Sequence, residues 1–139
     1  NDGRAIALSY FKERGFIEDT IKKFELGYAP NESKGLTNKA KSAQYNEDFL
    51  KTLGLTSSKG YDFFRNRVMF TIHNVSGKVI AFAGRTLSTS KSQPKYINSP
   101  ETPIYNKRKI LYGIHLAKNE IRKQNNCFIV EGYTDVISF

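Results

Sequence analysis

The chain has 139 residues, 39% apolar and 25% charged, which suits one folded domain, or one domain plus part of another, and excludes a disordered tract. No apolar run approaches the ~20 residues of a membrane span, and nothing at the start reads as a signal peptide. A lone Cys127 can form no internal disulfide, two histidines make a structural zinc site an unpromising reading, and a net charge of +9 points towards polyanionic partners.

The opening NDGRAIALSYFKERGF predicts a helix that Asp2 can cap, with Ile6, Tyr10 and Phe11 as an apolar stripe and Gly15 as a stop. FIEDTIKKFELGYAP repeats the pattern, with Ile17, Ile21 and Phe24 on one face and Gly27 and Pro30 as terminators. Residues 31–45 are polar with little periodicity and read as a loop or a weak helix. NEDFLKTLGL predicts a third helix, capped by Asn46 and ended by Gly54, and TSSKG is a connector after which the composition changes. RVMFTIHN alternates Val68, Phe70 and Ile72 against Met69, Thr71 and His73; with the turn VSG and the run KVIAFAGRTL it predicts a β-hairpin. STSKSQP is a flexible loop and KYINSPETPIYN a proline-interrupted extended stretch. Residues 107–124 carry enough apolar positions, Ile110, Leu111, Ile114 and Ile121 among them, for a partly buried helix. NCFIVEG predicts a short buried strand ending at Gly132. The expected class is α+β: a small helical front, then a mixed, mainly antiparallel sheet with a helix.

The charge is unevenly spread. Residues 1–58 balance to +1, residues 59–125 to +10 and residues 126–139 to −2. Within the basic stretch Arg65 and Arg67 stand two apart, so in an extended strand both would project from one side. Arg85 follows the facing strand, and Lys95 and Tyr96 follow the loop. Arginine forks grip phosphates, lysine acts as a point charge, and tyrosine can stack on a base. Taken singly, each is as well explained as an ordinary exposed side chain; their clustering on a Phe-rich sheet favours nucleic acid. In FIVEGYTD, Glu131 falls at the expected strand end and Asp135 at the start of a following helix, so both carboxylates can face one pocket. Paired acids suit magnesium and phosphoryl chemistry, while the plainer alternative is a solvent-exposed Glu and a helix-capping Asp.

Joined, these segments resemble a known family. RVMFTIHNVSGKVIAFAGRTL, PKYINSPETPIYNKRKILYGIHLAK and FIVEGYTDVISF are similar, in order and spacing, to the catalytic core of bacterial replicative primases of the DnaG type. YFKERGFIEDTIKKFELGYAP resembles the helical opening of that core, and the likeness is weakest between about residues 31 and 60. EGYxD alone is shared with other TOPRIM domains; with FRNRVMF and KYINSPET it is far more specific. Thr71 stands where many members have Pro and Thr134 where Met is common.

The resemblance implies an enzyme that synthesises short RNA primers on single-stranded DNA during replication, a DNA-directed nucleotidyltransferase using Mg2+ or Mn2+. It implies Glu131 as general acid/base, Glu131 and Asp135 as an incomplete metal site, and Arg65, Arg67, Arg85, Lys95, Tyr96, Asn98 and Lys107 as nucleic-acid or nucleotide contacts. Residues 1–125 would be the amino-terminal basic subdomain, and residues 126–139 the first strand and turn of a TOPRIM-like α/β domain. Further metal-binding acids are expected beyond Phe139 and a zinc domain before Asn1. Implied partners are a single-stranded DNA template, ribonucleoside triphosphates, the RNA primer and, through a region outside this chain, the replicative helicase. No membrane is implied, and the location is bacterial, cytoplasmic and nucleoid-associated. The chain alone is expected to bind DNA without making primers. The alternatives are a non-catalytic single-stranded DNA-binding module and another TOPRIM protein, such as a topoisomerase, nuclease or recombination factor.

Overall fold

The computed structural model describes residues 2–90 and 92–139, the side chain of Asp2 excepted, so the cap expected there lies outside the described residues. Four strands, β1 (Gly27–Ala29), β2 (Arg67–His73), β3 (Val79–Thr86) and β4 (Tyr96–Asn98), form one antiparallel sheet in that order. The predicted β2–β3 hairpin is its centre, running from Arg67↔Thr86 to His73↔Val79 with an irregularity at Ile72/His73. Val68, Phe70 and Ile72 are the buried row, as their alternation requires. Each fully covered side chain of this size contributes about 1.5–3 kcal/mol.

Helix α1 (Asp2–Glu13) lays Ala7, Tyr10 and Phe11 on this row, and Phe11 meets Phe70 edge to face at 6.2 Å. The stripe therefore runs through Ala7 and not through Ile6, which is half exposed; the small residue allows the helix backbone to come close. Gly3 serves the same end, because a Cβ there would enter the ring of Tyr28. In α2 (Glu18–Lys23), Ile21 and the following Phe24 pack on the core, whereas Ile17 is exposed.

Gly27 is not simply a terminator: Gly27–Ala29 is an edge strand, with Tyr28 opposite Val68. Helix α3 (Gly35–Ser42) lies within the stretch read as a loop or weak helix. Its start is held from outside, since Asp62 accepts hydrogen bonds from Leu36 N (2.7 Å), Thr37 N (2.9 Å) and Thr37 Oγ1 (2.6 Å). Helix α4 (Glu47–Thr52) has its predicted cap, Asn46 Oδ1 accepting from Asp48 N at 2.8 Å.

The long helix expected over 107–124 is broken. Lys107–Lys109 forms one 3-10 turn, Gly113 adopts φ +76°, and α5 runs only from Ile114 to Gln124. A left-handed residue ends regular propagation, and a Cβ at Gly113 would sit 2.9 Å from Val136 Cγ1. The strand expected in NCFIVEG is absent. No described strand lies alongside to complete a ladder, and Phe128 and Ile129 are exposed. A final helix, α6 (Tyr133–Ser138), returns to the core through Ile137 and Tyr133.

Candidate nucleic-acid interface

Arg85 sits on β3 between Val68 of β2 and Tyr96 of β4. Its guanidinium lies 4.7 Å from the ring centre of Tyr10 on α1, and that of Arg14, in the turn just past the end of this helix, lies 3.8 Å from the same ring. Each such contact is worth about 0.5–1 kcal/mol near a surface, so the ring aligns two cations at modest cost. Neither arginine has an acidic partner among the described residues. Burial pushes the Tyr10 phenol up to about 12, with Tyr96 adding to the shift, so it stays neutral between the two charges. Arg14 was missed in the sequence; its i,i+4 spacing from Tyr10 was the available signal, but only with Tyr10 already known to face Arg85.

Arg65 and Arg67 do not share a side. Asn66 between them has φ +51°, fixed by Tyr28 Oη donating to Asn66 Oδ1 at 2.9 Å, so β2 begins only at Arg67. Arg65 is exposed. Arg67 is 4% exposed, and its Nη1 donates to the carbonyls of Gly84 (3.3 Å), Pro94 (3.1 Å) and Lys95 (3.3 Å). Burial lowers its pKa from the ordinary arginine value. The side chain anchors the loop that leads into β4 and is not presented to solvent.

That loop ends in Lys95, which is exposed, and β4 opens with Tyr96, 39% exposed. Asn98, two residues on, accepts a hydrogen bond from Tyr133 Oη at 2.8 Å. Tyr133 stacks on Phe70 at 5.3 Å, meets Tyr112 edge to face at 4.8 Å, and lies 6.2 Å from Tyr96. Burial pushes its phenol up to about 12. The EGYTD turn is thereby fastened to β4 at Asn98, the end away from Lys95, with the Tyr133 ring beside that of Tyr96. Lys107 is exposed on its 3-10 turn, its backbone N donating to Glu101 Oε1 at 3.1 Å; no described hydrogen bond or aromatic contact joins it to the β3–β4 cluster.

Of the two acids, Glu131 is exposed without an ion-pair partner among the described residues. Asp135 Oδ2 accepts from Gly132 N at 3.1 Å, the helix-capping role weighed in the sequence. Their carboxylate oxygens are chemically suited to Mg2+ or Mn2+. The described residues nevertheless hold no group of three or more His, Cys, Asp or Glu placed to bind a metal ion. The geometry thus offers Arg14, Arg85 and Lys95 with Tyr96 as a cationic, partly aromatic surface, fitted to phosphates and stacked bases, while Arg65 is exposed ahead of β2 with no described contact to them.

The family model described as "DNA primase catalytic core, N-terminal domain" matches residues 1–118. A DNA primase of Halalkalibacterium halodurans is 44% identical over 135 residues, covering 94% of this chain and 22% of that protein. The chain thus spans about a fifth of the length of the curated relatives it matches. The RNA polymerase domain of Mycobacterium tuberculosis primase, solved with double-stranded DNA carrying a 6-nucleotide overhang, superposes with a TM-score of 0.91 at 34% identity, covering 99% of this chain and 44% of that one. The zinc-binding and RNA polymerase domains of Aquifex aeolicus primase superpose with a TM-score of 0.82 at 39% identity, covering 93% of this chain and 32% of that one.

Proposed function

This chain belongs to the DNA primase catalytic-core family, and from that premise we propose that it is the template-holding part of an enzyme that joins ribonucleotides into short primers on single-stranded DNA. One observation carries the reading: the Tyr10 ring holds Arg14 and Arg85 together beside Tyr96, and the Tyr133–Asn98 hydrogen bond ties the EGYTD turn to the same short strand β4. A strand whose phosphates follow the cations then runs past Glu131. Arg65, Arg85, Lys95, Tyr96 and, further out, Lys107 contact phosphates or bases; Asn98 positions Tyr133; and Arg67 positions the loop presenting Lys95.

Residues 1–125 act as the basic subdomain and residues 126–139 as the opening of a TOPRIM-like domain. Glu131 serves as the general acid/base of nucleotidyl transfer. Mg2+ or Mn2+, held by Glu131, Asp135 and acids from outside this chain, would neutralise charge on the reacting phosphates. Zinc belongs to a separate preceding domain of the whole protein, and the helicase contact to another region. Replication in the bacterial cytoplasm is the matching setting, and no helix among the described residues is long and apolar enough to cross a membrane.

The test compares single-stranded DNA binding by this chain and its R65A/R85A/K95A variant across salt concentrations. Loss of three phosphate contacts should weaken binding and lower the salt slope by about 2, at ~0.7 per contact. Unchanged affinity and slope would refute the face. Alone, the chain should make no primers; metal-dependent primer synthesis by residues 1–139 would overturn that part of the reading.

A further inference from the structure

The chain's only two histidines, His73 at the end of β2 and His115 in the first turn of α5, lie ring against ring, with centres 4.3 Å apart and planes tilted by 32°. His73 is buried, and its Nε2 stands 2.7 Å from Glu25 Oε2. An ionised carboxylate only accepts, so this nitrogen carries a proton and donates. Glu25 is fixed in place by φ +51° and by its carbonyl, which accepts from Thr71 Oγ1 at 2.7 Å. His115 Nδ1 is buried with no hydrogen-bond partner among the described residues. Lys118, one turn along α5, is the other charged group facing the pair, and its Nζ donates to the Val75 carbonyl of the hairpin turn at 2.7 Å.

This arrangement accepts one imidazolium and resists two. A charge on His73 faces the Glu25 carboxylate, which is the single acid at the cluster among the described residues. A second proton, on His115, would set two charged rings 4.3 Å apart with Lys118 nearby, and would leave the buried Nδ1 carrying an N–H without an acceptor. Once the rings part, His115 takes the proton with ordinary affinity, so acid favours the open form.

The contact also decides what rests on α5. A Cβ at Gly113, the residue before this helix, would meet Val136 Cγ1 of α6 at 2.9 Å and Phe24 Cε1 at 3.8 Å. Tyr112 stacks on Phe24 and meets Tyr133, the first residue of α6, edge to face. The start of α5 is therefore a joint between the hairpin and the EGYTD turn. On the hairpin side it is held by the histidine pair and the Lys118–Val75 bond. We propose that His73 and His115 form an acid-operated latch: closed, it pins the start of α5 to the hairpin and seats α6; on taking up a second proton it releases α5 and loosens the EGYTD turn while the sheet stays folded.

Hydrogen exchange of the whole chain at about pH 7.5 and 5.5, corrected for the intrinsic rate at each pH, reads the latch directly. One imidazole of ordinary pKa in the open form shifts the opening equilibrium by up to about tenfold over that interval. Protection of the α5 and α6 amides should fall by roughly that factor, while β2 around Val68 and Phe70 and helix α3 keep theirs. H115F retains a ring without a proton site, and its α5 protection should be equal at both pH values. If H115F lowers the melting temperature at the higher pH, H115Q, also uncharged, replaces it. E25Q removes the one facing carboxylate, so α5 should loosen at a higher pH than in the parent. Unchanged α5 protection in the parent overturns the latch, as does an acid loss undiminished in the His115 variant. A loss shared equally by β2 and α3 overturns it too, because the chain then unfolds as a whole. The readout needs no nucleic acid, so it stands or falls separately from the template-holding reading.

Discussion

Replacing Arg67 by Met tests whether this arginine is an anchor or a ligand. The substitution keeps much of the side-chain volume and removes the donor that reaches Gly84, Pro94 and Lys95. The Lys95 carbonyl keeps a second donor, Thr86 N at 2.9 Å. Loss of the remaining bonds leaves one or two covered carbonyls unpaired, at about 1–3 kcal/mol each, offset by the arginine desolvation no longer incurred. A net loss of about 2–4 kcal/mol is expected, out of the roughly 5–15 kcal/mol of an ordinary domain. For a chain of this size that lowers the melting temperature by roughly 6–12 °C, which scanning calorimetry or thermal circular dichroism resolves. DNA affinity should fall too, because Lys95 and Tyr96 lose their support, but the salt slope should stay near that of the parent. A melting temperature unchanged by R67M, together with a slope reduced by about 0.7, would show Arg67 contacting phosphate directly and refute the anchoring argument.

Three further expectations follow from polar groups that are buried or partly buried. His115 is pulled below its ordinary 6.5 first by burial and then by the His73 ring at 4.3 Å, with Lys118 in the same sense and Glu25 opposing. Because the unfolded chain then binds the proton more readily, stability is complete above about pH 7 and is lost as pH falls through 6.5 and below; melting curves from pH 8 to 5 should show this, with a flatter profile in H115F. Asp62→Ala removes the three hydrogen bonds at the start of α3, and about 2–4 kcal/mol should disappear from denaturant unfolding. Tyr133→Phe deletes the bond to Asn98 and should cost only about 0.5–1.5 kcal/mol in the same assay, yet reduce primer synthesis in the longer protein more than DNA binding, as the EGYTD turn loosens.

What could be read in advance followed the range of the interactions. The Asn46 cap depends on a residue two positions on, and the β2–β3 hairpin on adjacent runs joined by one short turn; both stood out in the sequence. Strand β1 is three residues long, too short to show alternation, and exists because β2 offers Tyr28 a partner at Val68. Helix α3 begins where Asp62, 25 residues after Thr37, meets its amides, and no local pattern announces that. The run FIV reads as a strand by composition, but a strand is completed only by a neighbour, and none among the described residues stands beside it.

The pair of arginines at 65 and 67 carries the same lesson into the site. Spacing by two makes equivalent residues only if the backbone between them is extended, and Asn66, at φ +51°, is not. One arginine is left in solvent, where the proposed role is a contact, and the other is turned beneath the loop before β4 as a support. Charge counting registers both as +1 and cannot separate them. The distinction lies in carbonyl partners 17 to 28 residues away, which is why residue type points to a nucleic-acid surface while only the folded chain assigns its members. Arg14 is the converse case: it looks like an ordinary helix-end base until Tyr10 brings Arg85 to the same ring, and two cations without acidic partners then gain a purpose that neither has alone.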